Sequence, residues 1–255
     1  MPERSAEAVV DIWSFHEDEA CPIDVARRHV SDGEWLRAQR FRAAPDRAAF
    51  ARGRATIRRI LAGYLDQPPS EIRLGTGRYG KPDLAADVGL HVNWSHSRGQ
   101  WLMAVTSAGP VGADIECVLP DLDWHGPAAI AFHPDERHFV TRQASGRVER
   151  FCKLWVCKEA AFKAAGYGLH DDMARVTMVD PKGAIAVPVA MLDGTRWHVH
   201  DVPAPAAPFA AAIAVGSPKV RLRFCDLAQL PVRSEEDRGR HLPTTPPRAV
   251  TGKVC

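Results

Sequence analysis

Two stretches of this chain carry apolar residues near helical spacing, 46–65 and 148–165, and each is followed by a series of short extended segments. Helices followed by several strands in each half imply two α+β lobes side by side. In the first half, 9–15 alternates as a strand, and 32–41 and 46–65 read as helices. Asp46 is placed to cap the second helix, with Phe50, Ile57, Ile60, Leu61 and Tyr64 on its apolar stripe. Pro68 and Pro69 stop that helix. A short strand at 71–74, a Gly/Pro turn at 76–82 and extended segments at 91–97 and 101–106 follow.

SAGP (107–110) reads as a hinge, giving an N-terminal lobe of 1–108 and a C-terminal lobe of 109–228. The second lobe holds a strand at 111–117, helices at 134–141 and 148–165, and strands near 175–179, 184–187, 197–202, 209–215 and 220–224. From about 229 to 255 the chain is rich in proline and mixed charge, the composition of a flexible tail.

The bulk numbers exclude more than they assign. With 255 residues, 45% hydrophobic and 25% charged, a sizeable core is within reach. The 33 Lys+Arg against 31 Asp+Glu leave a net charge of +2, which supports neither a nucleic-acid nor a membrane-surface partner. Six scattered cysteines contain no C-x-x-C pair, so reduced thiols are the simple reading. The N-terminus has no signal pattern and no apolar run reaches membrane-spanning length. A cytoplasmic protein is expected.

GADIE (112–116) is the first segment with chemistry. Side chains at i and i+2 of a strand share a face, so Asp114 and Glu116 project together, with Ile115 opposite. Two carboxylates on one face suit a hard cation such as Mg²⁺, although a solvated acidic face has the same pattern. In WVCKEAAFK (155–163), Trp155, Glu159 and Lys163 lie at i, i+4 and i+8 on one stripe, with Lys158 turned about a hundred degrees from Glu159. A surface Glu–Lys pair worth ~0.3–0.5 kcal/mol would look alike. Trp155 and Phe162 are unusual company for it, and GYGL (166–169) supplies a tight helix end. In NWSHS (93–97), Asn93, Ser95 and Ser97 share one face and His96 takes the other. Such hydroxyls and a histidine suit phosphate oxygens. Lys81 sits on a Gly/Pro turn. Cys152 and Cys157 read as small apolar fillers.

The order GKP (80–82), NWSHS, VGADIE (111–116) and WVCKEAAFKAAGYGL (155–169) resembles the Sfp-type 4′-phosphopantetheinyl transferases. In that family the runs read approximately GKP, F-N-x-S-H-S, G-[IV]-D-[IV]-E and W-x-x-K-E-x-x-x-K-x-x-G-x-G-L. The resemblance covers roughly residues 30–225 and implies an α+β fold of two similar, pseudo-symmetric lobes, each a small antiparallel sheet packed with helices, in a monomeric enzyme. It also implies the reaction: the phosphopantetheine arm of coenzyme A moves to a serine of an apo acyl or peptidyl carrier protein, releasing adenosine 3′,5′-bisphosphate.

Carried over residue by residue, the resemblance makes Asp114, Glu116 and Glu159 ligands of Mg²⁺, for which Mn²⁺ can substitute. Glu159, directly or through water, would be the base for the carrier serine, and Lys163 would stabilise the leaving phosphate. Ser95, His96, Lys81, Arg47 and Arg54 would contact coenzyme A, with Arg37 an alternative to the other arginines. Lys158 would add another phosphate contact or form a structural pair. AFHPDE (131–136) resembles the family's F-F-S-x-x-E run and adds Glu136 as a site near the metal or the carrier serine. Arg142, Arg147 and Arg150 would offer a basic face to an acidic carrier helix. Trp94, Ala113 and His133 depart from the usual residues at their positions. A coenzyme A- or carrier-binding module without catalysis, and an unrelated Mg²⁺-dependent phosphohydrolase, are the competing readings.

Overall fold

The computed structural model describes residues 7–76, 82–84, 88–168, 171–180, 183, 189–192, 194–203 and 208–230. Lys81, the proposed strand at 184–187 and nearly all of the C-terminal tail lie outside them. The chain separates into two compact units. One lies within Met1–Ile12, Leu74–Arg98 and Leu102–Leu222, the other within Trp13–Arg73, Gly99–Trp101 and Arg223–Cys255. Secondary structure is mixed α and β with small sheets, as expected.

The second of these units is mainly helical. Its helices are α1 (Ile23–His29), α2 (Asp32–Ala38) and α3 (Ala44–Leu65). Ser31 caps α2: its hydroxyl accepts from Glu34 N, and the Glu34 carboxylate accepts from Ser31 N. The expected cap at Asp46 is corrected: α3 begins two residues earlier, after Ala43, because Pro45 fits the first turn where no N–H partner is needed. Asp46 sits inside that turn, where its charge favours the helix dipole. At the other end Asp66 takes a left-handed conformation (φ 51°) ahead of the two prolines. The expected stripe is buried at Ile57, Ile60 and Leu61, and Tyr64 accepts a hydrogen bond from Trp13 Nε1 at 2.9 Å.

Gly53 is fixed by packing. A Cβ there would lie 2.1 Å from the Trp101 ring, which stacks on Phe15 at 5.9 Å. Glu34 has a second duty beyond capping, as one oxygen pairs with Arg54 and the other with Arg58. Arg58 also donates to the carbonyls of Pro69 and Ile72, tying the end of the unit back to α3.

The other unit contains parts of β1 (Ala8–His16), β5 (Gln100–Thr106) and β10 (Val220–Cys225), with all of β4 (His91–Ser97), hydrogen-bonded in the order β10-β1-β5-β4. A two-stranded ladder joins β2 (Leu74–Thr76) to β3 (Pro82–Leu84). The strand expected at 71–74 therefore starts later, because Pro69–Glu71 forms a 3-10 turn. A third sheet runs β6 (Val111–Cys117), β9 (Phe209–Val215), β8 (Thr195–Asp201), β7 (Val189–Leu192), with neighbours antiparallel. No strand forms over 175–179, where a 3-10 helix at Asp171–Arg175 takes the start of the segment.

Against this third sheet lies α6 (Arg147–Ala164), with α5 (Pro134–Thr141) packed on α6 and α4 (His125–Ala131) on the 3-10 helix Asp171–Arg175. Leu154, Val156, Ala160, Ala161 and Phe162 of α6 join Trp197, Val199, Ala212 and Ala214 of the sheet in one core. Phe132, Phe151 and Trp155 close its end with ring centroids 5.3–6.2 Å apart. Five cysteines (Cys21, Cys117, Cys152, Cys157, Cys225) are free and buried. No described helix is long and apolar enough to cross a membrane.

The Glu34 cluster generates a stability test. Burial pushes its carboxyl up, but the Arg54 and Arg58 charges outweigh it and the net position is below the usual range. A carboxyl lowered in the folded state adds stability above its unfolded pKa, and that contribution is lost as pH falls toward the folded value. Glu34→Gln is expected to cost about 3 kcal/mol in urea unfolding at pH 7, since it strands two cations in a partly buried site. Its penalty should shrink as the pH is taken below about 4.5.

Candidate active site

The site is assembled where α6 meets β6, and a glycine sets the distance. At Gly112 a Cβ would lie 1.9 Å from Ala160 O and 2.5 Å from Ala164 N. The helix therefore rests on the strand backbone to backbone, with alanines at the contact. On the same face of β6 as Gly112, at i+2 and i+4, are Asp114 and Glu116. On α6, Glu159 and Lys163 flank Ala160 and Ala164. This contact brings the acidic strand face and the Glu–Lys stripe together.

Asp114 and Glu159 are 3% and 6% exposed. Lys163 Nζ donates to Asp114 Oδ1 at 2.6 Å and stands 3.8 Å from Glu159 Oε2. One ammonium thus serves two buried carboxylates, with a third, Glu116, on the same strand face. Burial pushes the Glu159 carboxyl up; Lys163 opposes this and the Asp114 and Glu116 charges add to it, for a value of about 7. Glu116 is also raised, again first by burial.

Strand β4 completes the site from the other side of β6. Asn93 Oδ1 accepts from Ala113 N at 2.8 Å, and Ser97 Oγ accepts from Cys117 N at 3.1 Å. These side chains satisfy backbone donors on the edge of β6 that does not pair with β9. Ser95 Oγ donates to Asp114 Oδ1 at 2.7 Å, and Ser97 Oγ to Glu116 Oε2 at 2.8 Å. Asn93, Ser95 and Ser97 share a face as expected, but the two hydroxyls meet carboxylates here, and Ser97 had not been picked out as a site residue. Its signal was the i, i+2 spacing from Ser95, matching that of Asp114 and Glu116. His96 is exposed on β4.

The donor set suits a hard divalent cation. Asp114 Oδ2 and Glu159 Oε1 are buried without a hydrogen-bond partner, which is costly for carboxylates unless a cation meets them. Lys163 meets the other oxygen of Asp114, Oδ1, and among the described residues no three acidic, His or Cys side chains converge closely enough to ligate one ion.

Two expected roles are corrected by burial. Lys158 is fully buried, its ammonium held by the Glu136 carboxylate and by Val176 O at 2.7 Å, so it has no surface on which to meet coenzyme A. Burial pulls its pKa down and Glu136 opposes this. Glu136 is equally buried, and it spends its oxygens on Lys158, His133 N and Met178 N rather than facing a metal or a carrier serine. Arg150 is also committed, donating to the carbonyls of Val140, Gln143 and Ser145. Arg142 lies over the Phe139 ring and Arg147 donates to Gln143 O. In the helical unit Arg54 pairs with Glu34, Arg47 donates to the carbonyls of Phe41 and Arg42, and Arg37 lies over Phe50. The Cys152 and Cys157 thiols are pushed up to about 12 by burial, consistent with inert fillers.

Residues 110–214 match the 4′-phosphopantetheinyl transferase superfamily. The chain is 35% identical over 144 residues to 4′-phosphopantetheinyl transferase HetI of Nostoc sp., covering 55% of this chain and 61% of that protein. It is 34% identical over 164 residues to 4′-phosphopantetheinyl transferase psf-1 of Bacillus pumilus, covering 61% and 67%. With a phosphopantetheinyl transferase of Thraustochytrium sp. it shares 30% identity over 215 residues, covering 74% and 72%. The chain thus spans about three fifths of HetI's length.

Gly112→Ala is expected to cost about 3 kcal/mol or more in chemical unfolding, because backbone, unlike a side-chain tip, cannot step aside. Lys158→Met should cost about 3–5 kcal/mol by stranding Glu136, and adding Glu136→Gln should recover most of the loss in a double-mutant cycle.

Proposed function

The chain belongs to the 4′-phosphopantetheinyl transferase superfamily, and on that premise we propose that it transfers the 4′-phosphopantetheine arm of coenzyme A to a serine of an apo acyl or peptidyl carrier protein, with Mg²⁺ and with release of adenosine 3′,5′-bisphosphate. The observation that carries this reading is the junction of α6 and β6, where Lys163 meets Asp114 and Glu159, Glu116 shares the strand face, and two buried carboxylate oxygens lack partners. Asp114, Glu116 and Glu159 would hold Mg²⁺. When bound, the ion supplies charge neutralisation for the coenzyme A pyrophosphate.

The remaining chemistry belongs to the side chains. Glu159, directly or through water, takes the proton of the carrier serine hydroxyl. The serine oxygen bonds to the phosphorus that carries pantetheine, and the bond from that phosphorus to the bridging oxygen breaks. The bridging oxygen leaves with the electron pair on adenosine 3′,5′-bisphosphate. Lys163, a donor at the edge of the site and 24% exposed, stabilises that charge. Phosphoryl-type transfer needs alignment and charge stabilisation more than covalent help, and this group offers both. A monomeric, cytoplasmic enzyme acting on a transiently bound carrier is part of the same proposal.

Intact-mass analysis of several apo carrier proteins with coenzyme A tests it. A phosphopantetheine mass should appear with Mg²⁺ and be absent with chelator. No mass gain on carriers from fatty-acid, nonribosomal peptide and polyketide systems would refute the activity. Glu159→Gln is expected to lower kcat by about 10²–10⁴-fold while circular dichroism stays that of the parent.

A further inference from the structure

A serine hydroxyl of β4 holds one oxygen of each strand carboxylate of the site. Asp114 Oδ1 accepts from Ser95 Oγ at 2.7 Å and Lys163 Nζ at 2.6 Å, whereas Oδ2 is buried without a partner. Glu116 Oε2 accepts from Ser97 Oγ at 2.8 Å. The proton of Ser97 is aimed at that oxygen because Cys117 N, at 3.1 Å, donates to the same hydroxyl and occupies an acceptor direction. Ser95 and Ser97, two apart on β4, thus serve Asp114 and Glu116, two apart on β6.

We infer that Ser95 and Ser97 are specificity-determining residues that each hold one oxygen of Asp114 and Glu116 and thereby favour Mg²⁺ over Ca²⁺. The inference rests on the divalent-cation site proposed above. Mg²⁺ demands compact octahedral coordination, is held by few protein oxygens and keeps waters or substrate phosphates in its remaining positions. Ca²⁺ takes 6–8 oxygens and readily uses both oxygens of a carboxylate. Bidentate binding brings the ion onto the oxygen that already accepts a short hydroxyl hydrogen bond and draws charge from that bond, which weakens it. The serines therefore act against the larger ion while leaving the arrangement that suits the smaller one. Partners outside the ligand set that orient carboxylates in this way alter metal affinity by about 10–100-fold when removed.

Calorimetric titration of the whole chain with MgCl₂ and, separately, CaCl₂ tests the inference without reference to turnover. The unaltered protein should bind Mg²⁺ more tightly than Ca²⁺. Ser97→Ala should move the ratio of the two affinities about tenfold toward Ca²⁺. Ser97→Thr, which keeps the hydroxyl, should retain the parent ratio. Ser97→Cys, close in size but a weak donor, should move it in the same direction as alanine and covers the case in which the alanine variant does not fold. A parent-like ratio in the folded alanine or cysteine variant overturns the inference and leaves the metal site standing. Failure of the unaltered protein to bind either ion overturns both.

Discussion

The contact between Gly112 and the Ala160–Ala164 turn of α6 is the constraint on which the rest of the site depends. Any side chain at 112 would collide with helix backbone, so the strand and helix approach as closely as polypeptide allows. At that separation Asp114 of β6 and Glu159 of α6 both come within 4 Å of the Lys163 ammonium. The surrounding structure serves the same placement. Ala212 and Ala214, opposite Asp114 and Gly112 in the register, keep the sheet face low beneath the helix. The buried Lys158–Glu136 pair joins α6 to the first turn of α5 and to the 176–178 segment, which holds the helix in rotation one residue before Glu159.

This arrangement is electrostatically expensive. Two buried carboxylates share one lysine beside a third, partly buried one, and two of their oxygens have no hydrogen-bond partner. A fold selected for stability alone would place apolar residues there, since buried ion pairs seldom outperform them. Burial first, and the Asp114 and Glu116 charges after it, raise the Glu159 carboxyl against the pull of Lys163. Such a pocket is poised for a cation and, near neutral pH, for proton transfer.

Much of this was legible in the sequence because it rests on short-range periodicity. The two-residue repeat of a strand places Asp114 with Glu116, and the four-residue repeat of a helix places Glu159 with Lys163. The limits of α6, β6 and β9 follow from the same periodicities with little competition from turn residues. What periodicity cannot give is the partner of each face. Ser95 and Ser97 were correctly placed together, yet only the docking of β4 beside β6 turns them toward carboxylates. Lys158 differs from Lys163 by a rotation about the helix, and whether that face meets solvent or a buried Glu136 is a tertiary fact. The same holds for Arg54, which the resemblance assigns to coenzyme A and whose partner in the helical unit is Glu34. The errors at Asp46 and at 175–179 are of another kind: proline at a helix start and a 3-10 turn each overrode a local preference.

The central claim is that Asp114, Glu116 and Glu159 form one divalent-cation site beside Lys163. Crystals grown with Mn²⁺ and coenzyme A, measured at the manganese absorption edge, test it most directly. The account predicts one strong anomalous peak within coordination distance of oxygens from all three carboxylates, with Lys163 released from Asp114. A peak bound elsewhere, or none at this junction with coenzyme A in place, would contradict it.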